Sequence, residues 1–154
     1  MRVLSVSVIL CLATAAGVRA ADPAEEKAAL ATVQRLFDAM AARDAAAVRD
    51  VLLPDGRIAS VRENGGAATL GGSTHAEFVE RIGTAKEPLR ERIWDPQVMV
   101  HGRIAMVWAP YDFHRGDQFS HCGVDLISLV KTAEGWKISG LTYTVETAGC
   151  ASPR

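Results

Sequence analysis

The chain has 154 residues, 49% of them hydrophobic and 23% charged, with a formal net charge of −1. That is enough chain for one globular domain with a single core and too little for a second. No basic run is present, so neither a nucleic-acid footprint nor a patch for an anionic membrane surface is expected, and both partner classes drop out.

The opening stretch, MRVLSVSVILCLATAAGVRA, carries one Arg near its start, an apolar run over residues 3–16 and the small-x-small ending Val18-Arg19-Ala20. This is the pattern of a cleaved secretory signal. Residues 1–20 are therefore read as a signal peptide and residues 21–154 as one mature domain, periplasmic or secreted. The apolar run is too short to span a membrane, and Cys11 follows Val-Ile-Leu rather than the small residue a lipid-anchoring site needs. Without Arg2 and Arg19 the net charge falls to −3. Export also changes the meaning of the two remaining cysteines, Cys122 and Cys150: an oxidising compartment lets them close one bridge, and two unpaired thiols is the other reading.

Asp22 reads as an N-cap, with Pro23 at the first helical position and Glu25 completing a capping box. Leu30, Val33, Phe37 and Met40 then recur at helical spacing. Asp44 caps a shorter helix that presents Val48, Val51 and Leu52 before Pro-Asp-Gly stops it. RIASVRE and AATLGGS flank a Gly-rich turn as two strands, and Thr74 with Glu77 opens a third helix. Beyond Lys86 four long β-rich runs follow: LRERIWDPQVMVHG, RIAMVWAPYDFHRG, QFSHCGVDLISLVK and GWKISGLTYTVET. Pro96 and Pro110 mark bulges, bends or edges within them. Helices first and a long antiparallel meander after them predict an α+β fold.

That order, with GRIAMVWAPYDF, HCGVDLISLVKTAEGWKI and FDAMAARDAAAVRDVLLPDG, resembles the nuclear-transport-factor-2-like superfamily, in particular its exported bacterial SnoaL-like branch. The resemblance covers essentially the whole mature chain. It implies a cone: a strongly curved antiparallel sheet wrapped around three helices, with a pocket inside and dimerisation through the sheet. It does not imply one chemistry, since relatives include ketosteroid isomerase, scytalone dehydratase, polyketide cyclases, epoxide hydrolases and members that only bind or scaffold.

The stretch YDFHRGDQFSHCGVD, residues 111–125, concentrates the reactive side chains. A two-residue Gly-Asp turn would oppose Arg115 to Gln118, His114 to Phe119, Asp112 to His121 and Trp108 to Asp125. Alternation then puts Trp108, Asp112, His114, His121 and Asp125 on one face, and Val107, Ala109, Tyr111, Phe113, Cys122, Val124 and Leu126 on the other. On that register Asp112 or Asp125 orients His121 as a general base. A solvated sheet face gives the same alternation, and a one-residue slip inverts every assignment.

Trp94, Trp108, Tyr111 and Tyr143 are the candidate pocket-wall residues, with Tyr111 also readable as a core ring. Asp112, His114 and His121 offer two imidazoles and a carboxylate, but no further ligand spacing supports a metal, and no cofactor motif or Gly-x-Ser-x-Gly elbow occurs. Three functions remain: a small-molecule-binding domain of unknown ligand; an isomerase, dehydratase or cyclase using a His/Asp pair; or a dimerising interaction module without activity.

Overall fold

The computed structural model describes residues 22–150. The signal-peptide reading of residues 1–20 lies outside them.

Helix α1 (Pro23–Ala42) begins as its sequence dictates: Asp22 accepts a hydrogen bond from the Ala24 amide, and Pro23 occupies a position whose missing N–H costs nothing. Glu25 does not close a capping box. Its carboxylate instead takes Lys131 Nζ at 2.5 Å and Trp136 Nε1 at 3.0 Å, tying the helix start to the far strands. Arg43, in the left-handed region, ends α1. Asp44 then caps α2 (Ala45–Val51) through the amides of Ala46 and Ala47.

Helix α2 ends at Val51, before the Pro-Asp-Gly segment expected to stop it, and that segment lies within the next strand instead of forming a turn. Strand β1 (Leu52–Asn64) starts immediately and is displaced in register between Leu52 and Arg57. Gly56 is needed there, because a Cβ would lie 2.0 Å from the His75 ring. Strand β2 (Ala67–Thr74) returns through Gly65 and Gly66, both at positive φ. Helix α3 (His75–Gly83) carries the expected reciprocal capping box between Thr74 and Glu77.

The first long β run divides into β3 (Leu89–Ile93) and β4 (Gln97–His101). Pro96 offers no amide, and Asp95 before it takes a φ of 46°. The two short strands then pair with opposite halves of β5 (Ile104–Arg115). With β6 (Gln118–Thr132) and β7 (Gly135–Thr144) they form a seven-stranded sheet, in the order β2-β1-β7-β6-β5-β3, with β4 beside β5. All pairings are antiparallel except β1 with β7, which is parallel.

The sheet curves around the helices as a cone. Val33, Leu36 and Phe37 of α1, Val48 of α2 and Ile82 of α3 pack on Val107, Ile127, Leu129 and Ile138, all buried. Each such side chain stabilises the fold by about 1.5–3 kcal/mol through burial. The open end of this packing leaves the cavity described next.

Candidate functional site

Strands β5 and β6 run as expected through Arg115↔Gln118 and His114↔Phe119, and then the register slips. Phe113 pairs with His121, and Ser120 is left over as a β-bulge. From that point each β6 side chain lies on the face opposite to the one simple alternation gives it. The expected pairs Asp112 with His121 and Trp108 with Asp125 therefore do not form: Asp112 faces Cys122, and Asp125 faces Ala109.

The five residues assigned to one face separate into two sets. His121 and Asp125 look into the cone, beside Tyr111 and Phe113. Trp108, 44% exposed, lies on the convex side. Asp112 is engaged there by the Arg92 guanidinium, with His114 Nδ1 at 3.7 Å. Asp112 is thus no orienter of His121, and the three residues considered for a metal are divided between opposite faces.

The cavity encloses about 170 Å³. Its floor is acidic. Asp125 is only 1% exposed, and its Oδ2 has no hydrogen-bond partner among the described residues. Glu91, projecting inward from β3 between Leu89 and Ile93, sits beside Asp125 and meets the cavity. With Asp125 fully buried and Glu91 half-buried beside it, the two carboxyls resist ionising together at neutral pH, so they hold a proton between them. Burial raises Asp125 to about 7. Burial, then the Asp125 and Asp112 charges, push Glu91 well above its ordinary value, so the pair as a whole retains a proton near neutral pH.

The walls are aromatic. Tyr111, Phe113, His121 and Tyr143 cluster with ring centroids 4.9–6.3 Å apart, His121 lying nearly parallel to Tyr143. Tyr111 is not a free donor: it crosses its register partner Gly123 and gives its hydroxyl proton to Thr144 O at 2.7 Å. Burial, with the Asp125 and Glu91 charges, raises its pKa above the ordinary phenol value. The expected core-ring role fits it. Tyr143 lines the cavity, and Trp94 does not.

His121 shares a hydrogen bond with Ser120 Oγ at 3.0 Å, and among the described residues no carboxylate hydrogen-bonds its ring. Burial first, then the Arg62 and Arg115 charges, lower its pKa. A neutral imidazole results, where a carboxylate-supported base was expected. Arg81 of α3 and Arg115 at the end of β5 are exposed and line the mouth.

Glu91, Arg81 and Arg115 were not among the site residues expected from the sequence. For Glu91 a signal existed: in LRERI the residues two before and two after it are Leu and Ile, which puts the charge on the apolar face of its strand.

Behind the other face, Cys122 and Cys150 are joined by a disulfide, with sulfurs 2.00 Å apart. The bond fastens the segment after β7, where Cys122 and Glu146 exchange backbone hydrogen bonds of 2.9 Å each.

A family model described as "Putative lumazine-binding" matches residues 24–144. No curated protein matches the chain. Solved structures share the cone at low identity. An NTF2-like protein of unknown function from Shewanella baltica OS155 is 15% identical with a TM-score of 0.62, over 84% of this chain and 100% of that one. An NTF2-like protein with a cystatin-like fold from Novosphingobium aromaticivorans is 15% identical with a TM-score of 0.64, over 83% and 85%. A putative dehydratase of the NTF2-like family from Streptomyces avermitilis is 16% identical with a TM-score of 0.62, over 81% and 98%. Identities this low speak for the fold alone. With the match across residues 24–144, the chain belongs to the "Putative lumazine-binding" family, on the NTF2-like, cystatin-like cone fold.

Proposed function

We propose that the protein takes a small, flat molecule into the cone and engages it through the Glu91–Asp125 pair. The observation that carries this reading is the partnerless Asp125 Oδ2 at the floor of an aromatic-walled cavity. A buried carboxyl left unsatisfied costs about 1–3 kcal/mol, and the proton that the pair retains can be given to an occupant's carbonyl oxygen, which recovers part of that cost. Titration calorimetry with single-ring carbonyl compounds, acetophenone first, tests the reading. Saturable binding that weakens in Asp125→Ala is expected; a cavity that takes up none of them overturns it.

A second reading, proton transfer next to a carbonyl, is favoured by two carboxyl groups that meet in the cavity and retain one proton near neutral pH. Ionised Asp125 would remove a proton from carbon α to the carbonyl, while Glu91 gives its proton to the carbonyl oxygen. The product is the enol, with the negative charge moved from Asp125 to Glu91. A base near neutrality beside an acid suits this step, and the Streptomyces avermitilis relative named a putative dehydratase is consistent with it. This reading moves the base from His121 to Asp125. Exchange of the acetophenone methyl protons in D2O, followed by NMR, is expected to fall at least about 100-fold in Asp125→Asn. Unchanged exchange in that variant ends the enzymatic reading and leaves the binding one.

The same proposal retains export after signal cleavage, the SnoaL-like branch, and a homodimer through the sheet. Met99, Ile104, Trp108 and Phe119 are large, apolar and exposed, and their register puts them together on the convex side. A second copy would cover them symmetrically. Sedimentation should show Trp108→Glu as a monomer; a monomeric parent protein removes the dimer.

A further inference from the structure

The cavity is polarised along its axis, with shared carboxyls at the floor and two guanidiniums at the mouth. Arg81 donates through Nη2 to Ser73 Oγ at 3.0 Å and rests 5.4 Å above the Phe78 ring, which fixes its orientation and leaves its other donors available. Arg115 makes no side-chain hydrogen bond or ion pair among the described residues. No carboxylate there is paired with either guanidinium. His121, between mouth and floor, is held neutral in part by Arg115. Glu77, one turn before Arg81 on α3, feels the Arg81 charge, but no carboxylate among the described residues is ion-paired to either guanidinium, so both forks stay open, and a guanidinium fork matches a planar carboxylate in shape and charge.

Size narrows the rest. About 170 Å³ is close to a cavity of about 150 Å³ that admits one benzene ring. A larger body would have to project through the mouth.

We infer that the cone selects a single-ring carboxylate, its anionic group held by Arg81 and Arg115 and a carbonyl at its far end facing Glu91 and Asp125. This rests on the pocket reading above. A neutral ring forgoes the mouth, and a cationic one is repelled there.

Titration calorimetry of the intact protein with 4-acetylbenzoate and 4-acetylbenzamide, equal in shape and different in charge, is the test. The benzoate is expected to bind at least about tenfold more tightly, a preference that shrinks as salt is added. Arg115→Gln and Arg81→Gln should each lower benzoate affinity about five- to tenfold and leave benzamide binding within about twofold, while Arg115→Lys recovers part of the loss. NMR titration of His121 gives an independent readout: bound benzoate should raise its pKa by offsetting Arg115, and benzamide should not. Equal affinity for the two probes overturns this inference alone. Binding of neither removes the pocket reading and the inference with it.

Discussion

A carboxyl group that becomes harder to ionise when the chain folds makes the folded state less stable as pH rises, because the native protein then holds protons that the unfolded chain has released. Asp125 rises from an ordinary value of 3.8 to about 7, and Glu91 rises with it. Stability is therefore expected to fall from about pH 4 upward through pH 7, by a few kcal/mol in all. His121 and His75 act in the opposite sense: burial lowers both, so their contribution is lost as pH drops below 6.5. Urea denaturation across this range should give a parent curve that declines toward alkaline pH. The Glu91→Gln/Asp125→Asn double variant should instead gain stability up to about pH 6.5 and then level off. A parent as stable at pH 8 as at pH 5 would mean that the two carboxyls are not buried together.

At the scale of the strands, the outcome turns on single residues that change the pairing of everything after them. Ser120 inserts one position into β6, and that alone turns His121 away from Asp112. The hydrophobic period was readable in both strands, and so were the turn at Gly116-Asp117 and the caps of all three helices. The bulge was not, because HRGDQFSH has no glycine or proline at the inserted position and alternation reads equally well in either phase. Glu91 was passed over for a related reason: a charge in a short strand looks solvated until one knows what covers its face. Gly123 shows how closely these strands pack. A Cβ there would meet Thr144 O at 2.3 Å, the same oxygen that receives the Tyr111 hydroxyl. Gly123→Ala is expected to cost about 1–3 kcal/mol and to shift the Tyr111 and Tyr143 ring resonances together. A variant as stable as its parent would show that β7 can back away without loss.

For the whole molecule, the disulfide closes a loop of 28 residues that contains most of β6 and all of β7. Constraining the unfolded chain over that length is worth about 3–4 kcal/mol. Reduction should lower the urea midpoint accordingly while leaving the native circular dichroism spectrum close to that of the oxidised protein. Two free thiols in the denatured, unreduced chain would remove the bridge. The α+β layout was legible from element order, since helices preceding a long meander leave few ways to bury both, and the cone was what the family resemblance implied. The basic mouth was not, because Arg81 and Arg115 are 34 positions apart and reach one cavity only once α3 is packed on β1 and β2.

The single proton held between Glu91 and Asp125 makes the cavity a small buffer. An occupant bringing its own negative charge makes the pair more basic, so association draws a proton from solution near neutral pH, whereas a neutral occupant leaves the count almost unchanged. The heat of association will then contain the ionisation enthalpy of whatever buffer supplies that proton. Measured in phosphate and again in Tris, the enthalpy for an anionic occupant should differ by a fraction of the difference between the two buffers' ionisation enthalpies, and the slope is the fraction of a proton taken up. In Glu91→Gln/Asp125→Asn that slope should fall to the smaller share contributed by His121, so a buffer change becomes a reading of where the charge goes.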